Sequence, residues 1–119
     1  MKYMLCFLVL LSLIGCASPM EVKQGITTPE LSSLGEGTYR GKAFIFPVRV
    51  VLETDLIDGR ITDIRILRHF NGQGTPGEAV ADAVVKHQSL EVDVIAGATH
   101  SSVTILKALD DALSGGSHD

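Results

Sequence analysis

The chain opens with an unbroken apolar run at residues 4–14, and its hydrophobic residues then fall into shorter periods. Residues 37–46 and 48–55 are rich in β-branched and aromatic side chains. Val48, Val50 and Leu52 recur at every second position. A period of two puts alternate side chains on opposite faces of a strand, so both segments read as strands, broken at Pro47. Asp58 and Gly59 both tolerate positive φ and form a strong hairpin signal. Residues 60–68 return as a third strand, with Ile64 and Ile66 inward and Asp63 and Arg65 outward. A helical period takes over at 78–88, where Val80, Val84 and His87 share a face beside Ala83. It recurs at 101–113, with Ile105, Leu109 and Ala112 or Leu113 on one stripe, and Gly115 and Gly116 supply the stop. Residues 71–77 form a glycine-rich loop, and residues 90–95 a short β-branched strand or extended segment. Together these predict an α+β fold: a small antiparallel sheet of three or four strands in a hairpin meander, packed with two main helices.

The first run is too short to cross a bilayer, which takes about twenty apolar residues. Eleven residues behind Lys2 fit the hydrophobic region of a secretory signal. It ends at Leu13-Ile14-Gly15-Cys16, which resembles a bacterial lipobox, so residues 1–15 are expected to be a lipoprotein signal peptide and Cys16 the lipidated residue. The other cysteine, Cys6, lies inside that peptide, which leaves the mature chain no thiol for a disulfide or a metal. Several acyl chains on Cys16 would anchor the chain to the membrane on its extracytoplasmic side. Ala17 is not acidic, which favours an outer-membrane destination facing the periplasm if the cell has two membranes. Residues 16–36, with their prolines, serines and threonines, read as a flexible tether, and residues 115–119 as a tail.

Composition removes other classes. The net charge is −4, and without residues 1–15 nine basic groups face fourteen acidic ones, no footprint for a phosphate backbone or a nucleic acid. There is no Trp and aromatics make up 5%, which argues against stacking platforms for bases or sugars. The ordered part is about eighty residues, near the lower limit for a core without disulfides, so a bound cofactor would stabilise it by linkage.

The candidate chemistry lies in two places. Gly72-x-Gly74-x-x-Gly77 matches a dinucleotide fingerprint in form, but the preceding hairpin is not the βαβ unit that fingerprint needs. Its backbone amides can instead serve as a plain turn or face a smaller phosphorylated ligand. The four histidines have no ligand spacing, so no metal is expected; His87 reads as a packed helix residue, His118 as part of a frayed tail, and His69 as either pocket lining or a structural hydrogen-bonding group. No Gly-x-Ser-x-Gly elbow is present for a serine hydrolase. The second place runs from Asp93 to Ser102. Gly97 and Ala98 allow close approach to the backbone, Thr99 can cap the following helix, and Ser101 and Ser102 occupy its first turn. These residues can serve only as caps, or the helix start can receive a phosphate.

Asp93-x-x-x-Gly97-Ala98-Thr99 followed by serines resembles the flavinylation motif of the FMN-binding domain family. That family includes the covalently flavinylated domain of the C subunit of the sodium-pumping NADH:quinone oxidoreductase and the G subunit of the Rnf complex. The resemblance spans residues 37–113 and includes Gly37-x-Tyr39-x-Gly41, the Asp-Gly hairpin, His69, Thr75-Pro76-Gly77, and Gln88-Ser89-Leu90-x-Val92-Asp93. It implies FMN as cofactor over a domain at 37–114, with Thr99 as the covalent attachment point through a phosphoester made by a separate flavin transferase using FAD. It further implies Asp93, Gly97, Ala98, Ser101, Ser102, His69, Gly74, Thr75 and Gly77 as FMN-binding residues. Ala96 stands where the family usually has Ser or Thr. The chain has no evident second site for an organic substrate, so it reads as a membrane-anchored electron carrier between an unidentified donor and acceptor rather than a self-sufficient enzyme. A noncovalent FMN-binding lipoprotein and a flavin-free interaction lipoprotein are the alternatives.

Overall fold

The computed structural model describes residues 18–70, 75–115 and 117–118, without the side chains of 75, 117 and 118. Strand β1 is Gly37–Ile45, β2 is Val48–Ile57 and β3 is Arg60–Phe70. They pair antiparallel, Gly37 opposite Leu56 and Val50 opposite His69, and a two-residue β4 at Ser117–His118 pairs with Tyr39 and Arg40. The sheet order is β3-β2-β1-β4. The Phe46–Pro47 bond between β1 and β2 is cis. The hairpin at Asp58 (φ 51°) and Gly59 (φ 71°) has both residues left-handed, the geometry that matches strand twist. Helix α2 spans Ala79–His87 and α3 spans Thr99–Ser114. The expected α+β meander with two main helices is present, with boundaries moved by one or two residues.

The core lies between the sheet and α3. Val48, Val50, Leu52 and Leu56 of β2 point inward with Ile61 of β3, as the period of two requires. Ten of the sixteen residues of α3 are buried, so this is a central helix rather than an amphipathic one lying on a surface. Its backbone reaches β1 at Gly41, where a Cβ would collide with the Ala108 carbonyl and lie 2.6 Å from Ala112 N. The Lys42 amide donates to Asp111 Oδ2 at 2.9 Å, and His100 Nε2 lies 2.9 Å from the Ile45 carbonyl oxygen. Helix α3 therefore runs along β1, its start beside Ile45 and its later turns over Gly41.

Three expectations change. The segment read as a tether carries a short helix α1 (Pro19–Gln24), closed by a capping box between Ser18 and Glu21. Beyond it Ile26 is buried in the core and Leu31 and Leu34 pack against it. Thr28 Oγ1 accepts from Leu90 N at 3.0 Å and donates to Glu91 Oε2 at 3.0 Å. Isolated apolar residues without a period gave no local signal of this docking. His87 is exposed, because it is the last residue of α2 and projects past the core although its helical phase matches Val84. The backbone of His118 is paired with β1 rather than frayed. Residues 90–95, expected as a strand or an extended segment, pair with no strand and bury Leu90 and Val92.

The outer face of the sheet is uncovered and carries a charge network. Arg65 bonds Asp55 at 2.7 and 2.9 Å and Asp63 at 2.8 Å, and Arg40 pairs with Glu53 at 2.7 Å. The Arg65 guanidinium, then the Thr38 hydroxyl, hold the Asp55 carboxyl down at about 2. Two outcomes are expected. Gly41→Ala should cost about 3 kcal/mol in urea unfolding, since the added methyl meets helix backbone that cannot move alone. Arg65→Met should destabilise the fold at neutral pH. Because the folded-state value of Asp55 lies below its ordinary 3.8, that stability is present above pH 3.8 and lost as pH falls toward 2. The gap between wild type and variant should close over that window, and a gap constant with pH would contradict the network's role.

Candidate functional site

The site forms where the start of α3 meets the ends of β1 and β3. Ile95 to Ala98 makes a turn closed by the Ala98 amide donating to the Ile95 carbonyl at 2.9 Å. Gly97 sits at φ +79° with open space where a Cβ would be, so the backbone is bare on that side. The helix cap is Ala98, with no side-chain cap bond, and Thr99 is the first helical residue rather than the cap. Ser102 explains this: its Oγ donates to the Ala98 carbonyl at 2.7 Å and accepts from Ile95 N at 3.1 Å, holding the turn from inside the helix. No side chain of the cap residue closes the start of α3, and a helix N-terminus of this kind suits an anion.

His69 connects this turn to the sheet. Its ring is 7% exposed, with Nε2 3.0 Å from the buried Ser101 Oγ and Nδ1 3.4 Å from Glu78 Oε2. Gly77 packs directly on the same serine: a Cβ there would lie 2.6 Å from Ser101 Cβ. The 3-10 turn Thr75–Glu78 is thereby seated on the first turn of α3. Gly72 and Gly74 lie outside the described residues, as does Cys16. Asp93 is exposed and makes no hydrogen bond or ion pair to the cluster among the described residues. The structure brings together His69, Gly77, Ala98, Thr99, Ser101 and Ser102, with Gly97 at the rim, and leaves Asp93 outside.

Beside His69 opens a cleft of about 630 Å³ lined by Phe44, Phe46, Pro47, Arg49, Arg68, His69 and Phe70. Phe44, Phe46 and Phe70 are 57%, 79% and 65% exposed. Phe44 and Phe46 meet edge to face at 6.4 Å, and the Arg49 guanidinium lies 5.2 Å over the Phe44 ring. His100, bonded to the Ile45 carbonyl, joins the Thr99 turn to this aromatic hairpin. Composition hid the cleft. The chain has only four phenylalanines, but the three beyond residue 15 all stand here. Phe44 and Phe46 in alternate positions beside Pro47 were the available signal, and His100 had none. Among the described residues no group of His, Cys, Asp and Glu could hold a metal, and no helix is long and apolar enough to cross a membrane.

An exposed aromatic cleft bordered by His69, and an uncapped helix start tied to that same histidine through Ser101, together suit a flat, phosphorylated ligand. A family model described as an FMN-binding domain matches residues 46–114, and the chain belongs to that family, with FMN as its cofactor. It is 36% identical over 106 residues to a urocanate reductase of Eggerthella lenta, covering 87% of this chain and 17% of that protein. No solved structure matches the chain. The residues fit FMN on their own terms: exposed aromatic side chains for a ring, a helix start with no side-chain cap for a phosphate and bare backbone at Gly97.

A double-mutant cycle tests the linkage between turn and sheet. Ser101→Ala and His69→Phe should each destabilise by about 1–3 kcal/mol, and their effects should be coupled by at least about 0.5 kcal/mol in urea unfolding. Strict additivity would show that the two side chains do not act on each other.

Proposed function

We propose that the protein is a lipid-anchored, extracytoplasmic electron carrier whose FMN is joined through its phosphate to Thr99. The observation that supports this most is the position of Thr99: half-buried, at the start of an uncapped helix that His69 and His100 tie to the aromatic cleft. In the attachment step Thr99 Oγ1 bonds to the FMN phosphorus of FAD as the pyrophosphate bond breaks. AMP departs, and the hydroxyl proton passes to a base on the flavin transferase. His69 and His100 already hold partners through Ser101, Glu78 and Ile45, which favours activation from the transferase. Phosphate at the amides of α3 would be stabilised by those donors and the helix dipole. Phe44, Phe46 and Phe70 would bury the faces of the ring, and His100 would hold that wall in place relative to the attachment point. Bound FMN supplies one- or two-electron transfer; the protein supplies position and surroundings. The match to 17% of a larger reductase supports a carrier that exchanges electrons with a separate catalytic unit.

Anchoring rests on the 4–14 apolar run and the Leu13-Ile14-Gly15-Cys16 ending. With Cys16 acylated, Ala17 alone separates the lipid from the Ser18 capping box, so the domain would sit close against the bilayer rather than reach away from it.

Intact-mass analysis of protein purified from its own membrane reads lipid and flavin together. The expected wild-type mass begins at an acylated Cys16 and includes one FMN less water. Thr99→Ala should lose the flavin increment and stay folded, since Thr99 is not the cap. A flavin-bearing peptide from that variant, mapped to Ser101 or Ser102, would overturn the assignment. Wild-type FMN released on denaturation would establish noncovalent holding, and a wild type without flavin would leave an interaction lipoprotein.

A further inference from the structure

Two arginines of the cleft have no carboxylate partner among the described residues. Cross-strand pairing aligns Phe44, Arg49 and Phe70 in one row over three strands, and Lys42, Val51 and Arg68 in the next. All six side chains stand on the sheet's uncovered face, since pairing opposite the buried Val50 and Leu52 fixes the alternation. Farther along the same face Glu53, Asp55 and Asp63 are engaged by Arg40 and Arg65. Among the described residues neither Arg49 nor Arg68 has a carboxylate partner, although the chain as a whole is acidic. Arg49 also lies over the Phe44 ring, 5.2 Å from its centroid, which places its charge beside the aromatic wall.

Resting on the reading that the flavin ring occupies this cleft, we propose that Arg49 and Arg68 tune the flavin, stabilising negative charge on the pyrimidine edge of the reduced ring and raising its midpoint potential. Reduction by two electrons adds one proton at N5. The proton on N1 is either kept or released to solvent, and its release leaves one negative charge spread over N1 and the C2 carbonyl. An adjacent cation favours release, as an opposite charge always favours the ionised form. Guanidinium suits the task because it remains protonated and its planar fork matches an N and O acceptor pair. A ring seated over the two arginines would exclude water and strengthen the attraction. The phosphate has its own donors at α3, so the cleft arginines are left for the ring.

The test uses flavinylated full-length protein reduced stepwise with dithionite in the presence of reference dyes. In Arg49→Gln/Arg68→Gln the reduced-to-oxidised ratio at a fixed potential should fall at least tenfold, a drop of about 30 mV for a two-electron couple. The ionisation of N1, followed by absorbance of the reduced protein against pH, should move upward. Arg49→Lys/Arg68→Lys should recover most of both, which a role that depends on the guanidinium shape rather than the charge would not allow. Both arginines are exposed, so the variants keep the fold. Unchanged potential and N1 titration in the double Gln variant overturn the proposal. So does an unchanged potential coupled with loss of noncovalent FMN from the Thr99→Ala background, which would make the pair a phosphate clamp. Visible circular dichroism and fluorescence of the wild-type flavin read the underlying assignment separately: values equal to free FMN would put the ring outside the cleft and remove both.

Discussion

The contact between β1 and α3 at Gly41 is the constraint on which the rest depends. A helix with most of its surface buried must be fixed in depth and direction by its neighbours, because interiors are packed too densely for it to slide. Glycine at 41 lets the helix backbone reach the sheet at Ala108 and Ala112. The Asp111 carboxylate on the Lys42 amide and the His100 ring on the Ile45 carbonyl then fix the line of the helix along the strand. Its first turn is carried in this way to the edge of the sheet where Phe44 and Phe46 protrude. The position of Thr99 relative to the aromatic hairpin is set by core packing at Gly41 together with the local bond from His100 to Ile45.

The uncovered sheet face divides into two halves with different physics. At one end charges neutralise one another: Arg65 gathers Asp55 and Asp63 into a network that depresses the Asp55 carboxyl, and exposure keeps its contribution modest and sensitive to salt. At the other end apolar rings and guanidinium groups are left open. A soluble surface seldom concentrates its aromatics in one exposed patch without a ligand or partner for it. The chain from half-exposed Glu78 through His69 to buried Ser101 sits behind that patch and supports both the strand end and the helix start. In form it is an acid, an imidazole and a hydroxyl in series. With the serine fully buried it acts as a brace between elements and not as a nucleophile.

Much of the architecture was legible locally. Period-two alternation at Val48, Val50 and Leu52, the Asp58-Gly59 turn and the Ile105–Leu109 stripe determined the strands, the hairpin and the second helix, because each depends on residues a few positions apart. The Gly97-Ala98-Thr99 run likewise marked the helix start and the family. Local reading failed where a residue's role depends on a partner distant in the chain. Ile26, Leu31 and Leu34 have no period of their own, and only the core opposite them makes them structural. Ser102 took the holding role expected of Thr99 because one helical turn sets its hydroxyl against the Ala98 carbonyl and the Gly97 turn brings the Ile95 amide to it.

The sequence by itself determined the α+β class, the order of elements, the motif that holds the candidate attachment residue and the cofactor family, all of which are written in short-range pattern or residue identity. Tertiary structure alone decided that His69 bonds Ser101 across thirty-two positions, that His100 bonds Ile45 across fifty-five, and that Phe44, Phe46 and Phe70 close around one cleft with Arg49 and Arg68. The reason is physical. Strand pairing and helix burial bring these groups together through backbone register and packing, and neither leaves a trace in the spacing of the side chains that meet.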